Sequence, residues 1–194
     1  MDLVERRRRK TRLDIELVAV ELFEQLGFDA VTVDQIADAA GVSVRTFYRY
    51  CSSKEDALTS HLPVGARDLA AAVSQPSEVP FLYAVREAST ELMLNGEVPV
   101  PTLRRVIALC LVETQLRTHW MAGAREAQER LADVICRRQP GLGLERAAVL
   151  AGTIVAALAA AYESWARDDD DMREHVTRCI AVIEPLFPAG QLPD

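Results

Sequence analysis

The chain has 194 residues, 49% hydrophobic, 26% charged and only 6% aromatic, with a net charge of −7. That length supports a sizeable core, in one domain or two closely joined ones, and a chain rich in alanine and leucine but poor in aromatics favours helices over strands. Four scattered cysteines (Cys51, Cys110, Cys136, Cys179) show no paired spacing and no apolar stretch directly follows the opening MDLVERRRRK, so a reduced cytoplasmic protein without a signal peptide is expected rather than a disulfide scaffold.

The charge is unevenly placed. Residues 1–54 carry nine Lys/Arg and nine Asp/Glu, so the remainder supplies the whole excess of acid. Six of those nine positive residues fall between Arg6 and Arg12. Where basic groups concentrate says more about a nucleic-acid partner than the net sum does.

In chain order, Ile15, Val18, Ala19, Leu22, Phe23 and Leu26 make one face of a first helix, and Gly27 stops it. Thr32 begins a second helix as a capping box with Gln35, and Ile36, Ala37 and Ala40 give it an apolar face. Gly41 breaks that helix. Ser43 caps a third, through about Tyr50, and Ser53 starts a fourth. Two short helices joined by a four-residue turn containing glycine form the helix-turn-helix pattern. Pro63 and Gly65 interrupt or kink the fourth helix and are the expected hinge. After a loop at 74–80, helices are expected from Phe81 to Leu94, from Thr102 to Glu113 and from Gln115 to Arg138, the last two either separate or continuous. Leu144 to Ala166 and Met172 to Phe187 complete the set. The uncharged run from Ala147 to Tyr162 falls short of the roughly 20 residues that span a bilayer and reads as a buried helix. The fold class is all-α, with about nine helices.

In a helix-turn-helix the second helix lies in the major groove with its N-terminal residues at the base edges. Val42 and Phe47 would anchor that helix, leaving Val44, Arg45, Thr46, Tyr48 and Tyr50 to face DNA. Arginine can grip guanine through two hydrogen bonds, and valine or the threonine methyl can touch a thymine methyl. Thr46, Tyr48 and Lys54 can reach phosphates, and the basic arm with Arg6, Arg7, Arg8 and Arg9 would follow the backbone or enter the minor groove. A solvated surface helix and a disordered basic tail are the plain alternatives, and the combination of caps, turn and arm outweighs them.

The stretch from Glu16 to Leu58 resembles the DNA-binding region of TetR-family transcriptional regulators. Its markers are Leu22-Phe23, Gly27-Phe28, Thr32-Val33, Ile36-Ala37, Gly41-Val42-Ser43, Thr46-Phe47-Tyr48 and Ser53-Lys54-Glu55. Cys51 departs from the pattern, in which phenylalanine is frequent. The resemblance implies a homodimer, most often a repressor, with a DNA-binding domain at 1–55 and a helical effector-binding and dimerisation domain at 56–194. It also implies base or phosphate contacts for Val44, Arg45, Thr46, Tyr48 and Tyr50, and phosphate contacts for Thr32, Ser43 and Lys54. The second part resembles the family in layout, and faintly the actinobacterial subgroup associated with acyl-coenzyme A and mycofactocin-type regulation.

Small residues on the Leu144–Ala166 helix, among them Ala151 and Ala157, and the stripe Val176, Ile180, Ile183 and Phe187 suggest a four-helix dimer interface; intramolecular core is the alternative. Polar or aromatic groups on apolar faces mark an effector pocket: Tyr83, Arg86, Glu113, Arg117, Trp120 and Tyr162. Glu113, Arg117 and Trp120 share a face if their helix is continuous, and Arg86 and Arg117 would suit an anionic group on an apolar or amphipathic small molecule. For each of the six, core or surface is the competing account. The expected partners are a palindromic double-stranded operator, that effector and a second copy of the chain. No cofactor or metal is expected, because His61, His119 and His175 lie far apart with no ligand spacing. An enzyme would need a constellation the sequence does not display. The remaining rivals are a regulator of this fold without a small-molecule effector and a helical protein-binding adaptor.

Overall fold

The computed structural model describes residues 3–59, 64–74, 79–96, 98–139, 141–168 and 170–187. The described residues form ten α-helices and one 3-10 turn, with no strand among them. They are α1 (Leu3–Leu26), α2 (Val33–Ala39), α3 (Val44–Tyr50), α4 (Lys54–Thr59), α5 (Val64–Ala72), α6 (Phe81–Leu94), α7 (Val100–Val112), α8 (Thr114–Arg138), α9 (Leu144–Arg167) and α10 (Met172–Ile183). The chain divides into two compact units, residues 1–61 with 97–119, and residues 62–96 with 120–194.

The first unit is built on α1, against which α2, α4 and α7 pack. Its core comprises Ile15, Phe23, Phe28, Ile36, Phe47 and Leu58, each at most 2% exposed. The rings of Phe23 and Phe28 meet at 5.0 Å, across the turn that Gly27 makes at a φ of +82°. A positive φ is a conformation in which glycine, lacking Cβ, carries no steric cost. α7 is tied to α1 by Arg105, whose guanidinium donates to both carboxylate oxygens of Glu24, at 2.9 and 3.1 Å from Nε. This pair holds the Glu24 carboxyl below its ordinary pKa, chiefly through the Arg105 hydrogen bond.

In the second unit α9 and α10 pack together, α6 lies against α10, and α5 against α6. Ala147, Ala151, Ile154, Ala161 and Trp165 of α9 are buried, as are Met172, Val176 and Ile180 of α10. An ion pair from Arg173 to Glu87 at 2.9 Å adds a polar tie between α10 and α6. α9 is long and apolar enough to cross a membrane by length and composition alone; here its Ala147, Ala151 and Ala161 are buried and the helix packs with α10.

Two boundaries differ from expectation, and a third, left open by the sequence, is decided. The chain is helical from Leu3, so the basic run is the opening of α1 rather than an arm. α7 and α8 are separate, because Glu113 turns to extended backbone (φ −93°, ψ 112°) between them. α10 ends at Ile183, where Pro185 tightens the chain into the 3-10 turn Glu184–Leu186. The expected hinge residue Pro63, and His61 with it, lie outside the described residues.

Candidate nucleic-acid interface

Sequence dictates the geometry of α2 and α3 through their ends. Thr32 and Gln35 form the reciprocal capping box: Gln35 N–H donates to Thr32 Oγ1 at 3.3 Å, and Thr32 N–H donates to Gln35 Oε1 at 2.8 Å. At the other end Gly41 takes a φ of +66°, its N–H donates to the Asp38 carbonyl at 3.0 Å, and Val42 N–H donates to the Ala37 carbonyl at 2.9 Å. These are the two bonds of the Schellman stop, which satisfy the Asp38 and Ala37 carbonyls and end α2. One residue on, Ser43 Oγ accepts from Thr46 N–H at 3.1 Å and starts α3. The turn is therefore fixed in length by three side chains and one glycine.

α3 has two faces. Phe47 is wholly buried and Cys51, its C-cap, is 1% exposed. Tyr48 is 56% exposed, its ring edge-on to Phe47 at 5.5 Å. Arg45 and Arg49 are exposed, and Val44, Thr46 and Tyr50 are half-buried. Arg45, Tyr48 and Arg49 stand at i, i+3 and i+4, which puts them on one outward stripe. Arg49 was not among the expected residues, although its spacing from Arg45 carried the signal. It lies over the Tyr50 ring at 4.9 Å and donates to its hydroxyl at 3.3 Å, which stiffens a long side chain at the helix end.

Lys54 has other work. Its ammonium donates to the carbonyls of Phe28, at 2.7 Å, and Val31, at 3.1 Å, and sits 4.1 Å from the Phe28 ring centroid. Two of its three donors brace α4 against the 28–31 turn, which leaves one for the expected phosphate. Arg6, Arg7, Arg8 and Arg9 are exposed on α1. Four successive helical positions fan through about 300°, so no groove receives all four at once. Burial pushes the thiols of Cys51 and Cys110 up to about 12, which removes the thiolate a redox sensor needs at these two positions.

The family model described as bacterial regulatory proteins, tetR family, matches residues 17–58, and the one described as the MftR C-terminal domain matches residues 79–188. The chain belongs to the TetR family. A protein of Mycobacterium tuberculosis named for mycofactocin biosynthesis regulation, MftR, is 30% identical over 168 residues, covering 86% of this chain and 85% of that protein. The HTH-type transcriptional regulator TcmR of Streptomyces glaucescens is 33% identical over 144 residues, 71% of this chain and 64% of that longer protein. Among solved structures, a SmeT–triclosan complex covers 95% of this chain with a TM-score of 0.63 at 17% identity, and the fatty acid degradation regulator FadR of Bacillus halodurans covers 89% with a TM-score of 0.60 at 20% identity. At these identities the two structures speak for the fold. The chain is a transcriptional regulator with a DNA-binding helix-turn-helix, and not an enzyme.

Each of the six residues expected in this TetR regulator's pocket has neighbours within its own chain. Tyr83 is 45% exposed, with the Arg86 guanidinium 4.6 Å from its ring centroid, and Arg86 is paired with Glu87 at 3.0 Å. Arg117 donates to the Cys110 carbonyl at 3.5 Å and to that of Leu111, which closes the C-terminal end of α7. Glu113 lies in the break between α7 and α8, so the continuous face with Arg117 and Trp120 does not exist. Trp120 is core, 8% exposed. Tyr162 is half-buried, and burial raises its phenol to about 12 against a lowering hydrogen bond with Ser89. A cleft of about 210 Å³ between α8 and α9 is lined by Arg125, Gln128, Glu129, Ala132, Asp133, Leu144 and Ala148, and none of the six is in it.

The dimer residues need the same correction. Ala151, Ala157, Val176, Ile180 and Ile183 are 0–9% exposed within the single chain, so they are the seam between α9 and α10 rather than a surface, and Phe187 is half-buried. The opposite faces are open: Val149 is 67% exposed, Val182 77% and Leu186 57%, with Ala156, Ala160 and Ala181 exposed beside them in sequence periodicity.

Proposed function

We propose that the chain acts as a homodimeric repressor on a palindromic operator and leaves it when a small molecule binds. The observation that carries this is the two-faced α3, with Phe47 wholly buried and Arg45, Tyr48 and Arg49 standing outward from a helix fixed by caps at both sides of its turn. Arg45 would read a base edge; Thr46, Tyr48 and Tyr50 would meet bases or phosphates, and Val44 would touch a thymine methyl. Thr32 and Ser43 spend their side-chain oxygens on caps, so their phosphate contact would come through the backbone amides of the helix starts. In the dimer the two α3 helices would sit about 34–36 Å apart, one turn of duplex.

Functionally, residues 1–55 would read DNA, and residues 56–194 would hold the effector and the partner copy in the cytoplasm. The open faces of α9 and α10, with Val149, Ala156, Ala160 and Val182, would make the four-helix contact in place of the seam residues. An apolar or amphipathic effector accords with relatives named for fatty acid degradation and solved with triclosan. Tyr162 and Ser89 are the polar groups inside the second unit that such a ligand would meet. α7 would carry the signal, since Glu24 and Arg105 join it to α1, on which α2 packs. A regulator without a small-molecule effector is favoured by one observation: Arg86 and Arg117 are already engaged by Glu87 and by carbonyls.

The test is selection of random duplex DNA on the full chain, with binding repeated across a salt series. A palindromic site whose affinity falls steeply with salt and vanishes in Arg45→Ala/Tyr48→Ala is expected. No enriched site, with no binding at low salt, would move a protein-binding role to the front.

A further inference from the structure

The corner between α9 and α10 carries an acidic run, Asp168 to Asp171, and beside it a histidine in an unusual position. His175 is 1% exposed, and its Nε2 is buried without a hydrogen-bond partner. A buried polar atom left unpaired costs free energy and asks for an explanation. Nε2 faces Asp170, with Oδ2 at 3.9 Å. One donor atom each from Asp168, Asp170 and His175 lie within 4.8 Å of one another.

We propose that this corner is a binding site for a divalent first-row transition ion of the zinc class, held by His175 Nε2 and the carboxylates of Asp168 and Asp170. Zinc binds imidazole nitrogen at about 2.0–2.1 Å and carboxylate oxygen at about 2.0–2.2 Å in a tetrahedral arrangement, so two ligand atoms on one ion stand about 3.4 Å apart. The His175–Asp170 separation of 3.9 Å is within about 0.5 Å of that spacing. Asp168 and Asp170 are both exposed, at the mouth of the site. Asp168 gives up only a 3.4 Å hydrogen bond from Ser164. Asp171 is not a ligand, because its Oδ1 caps α10 by accepting from Arg173 N–H at 3.0 Å. A nitrogen donor among the ligands favours the zinc class over magnesium or calcium, which take oxygen ligands. Three protein ligands leave a position for water, the open arrangement of zinc sites.

Arg178 makes the site conditional. Its guanidinium lies 3.0 Å from His175 Nδ1 and can only donate, so Nδ1 accepts and the neutral ring carries its proton on Nε2. A metal on Nε2 needs the other tautomer. The proton then sits on Nδ1, and Arg178, exposed on α10, withdraws. Arg178 is thus a competitor of the ion, not a helper.

The experiment uses the full-length chain stripped with a chelator and titrated with zinc in a calorimeter, with cobalt(II) absorption as a second readout and magnesium as control. One zinc per protomer is expected in the native chain, at least about tenfold weaker in Asp170→Asn and lost in Asp168→Asn/Asp170→Asn. Both aspartates are exposed, and circular dichroism checks that the variants fold. Arg178→Ala is expected to bind zinc more tightly than the native chain. Equal zinc binding by the native chain and the double variant, or none at millimolar zinc, would overturn the site. Unchanged affinity in Arg178→Ala would overturn Nε2 of His175 as the ligand atom.

Discussion

The two compact units solve the same problem, burying an amphipathic helix, by different means. In the first, the decisive instructions are local. Thr32, Gln35, Gly41 and Ser43 lie within twelve positions of one another, and each acts on a neighbour three to five residues away. In the second, the long helices are apolar on more than one side, and which side is core depends on what the chain brings against it from far along the sequence. Ile183 is 7% exposed and Val182 beside it is 77% exposed, yet nothing in either residue's chemistry says which.

That contrast can be broken by paired substitutions. The largest effect expected is Phe47→Ala, which removes a wholly buried ring and should cost about 3–5 kcal/mol of stability in chemical denaturation. Tyr48→Ala, one residue on and 56% exposed, should stay within about 0.5 kcal/mol of the native chain while operator binding in a gel-shift assay collapses. Second is Ile183 against Val182. Ile183→Ala should lose about 2–5 kcal/mol of folding stability. Val182→Glu should leave the unfolding of a dilute sample nearly unchanged but shift sedimentation equilibrium toward monomer. If Val182→Glu unfolds the chain instead, the open face is core and the dimer surface lies elsewhere.

Arg45→Ala should weaken operator binding by about 1–3 kcal/mol and relax preference at one base position, read by competition with single-base operator variants. Lys54→Met should lower stability by about 1.5–3 kcal/mol, as for hydrogen bonds to a charged group. It should leave the slope of log affinity against log salt as in the native chain, because its ammonium is held by the Phe28 and Val31 carbonyls. A slope reduced by about one would show it to be a phosphate ligand.

The smallest effect concerns pH. The Glu24 carboxyl is held low by Arg105 in the folded chain. The pair's contribution is therefore complete above the unfolded carboxylate's pKa and fades as pH falls through the lowered folded one. Glu24 and Arg105 are more than a third exposed, so Glu24→Gln should lose at most about 1 kcal/mol near neutral pH, and nothing in strong acid.

Much of the first unit was legible because caps, glycines and periodic apolar positions are short-range signals. The helical basic run was not, because six positive residues at a helix start oppose the helix dipole and read as an unstructured arm. The face shared by Glu113, Arg117 and Trp120 depended on a continuous helix, and the extended backbone at Glu113 interrupts it. For the expected dimer residues the sequence left dimer face and intramolecular core both open, because small and apolar side chains serve either, and the structure buries Ala151, Val176 and Ile183 within one chain. At the α9–α10 corner the spacing Asp168, Asp170, His175 was present in the chain, but only the fold buries the histidine beside the two carboxylates.

The central claim is that α3 divides between an anchor and a reading face. The direct measurement is operator affinity and denaturation of Phe47→Leu and Tyr48→Ala side by side, on the operator recovered by selection. The account predicts that Phe47→Leu loses stability while the fraction still folded binds with native affinity, and that Tyr48→Ala keeps stability and loses binding. The reverse pattern, a stable Phe47→Leu that cannot bind beside a Tyr48→Ala that binds normally, would contradict it.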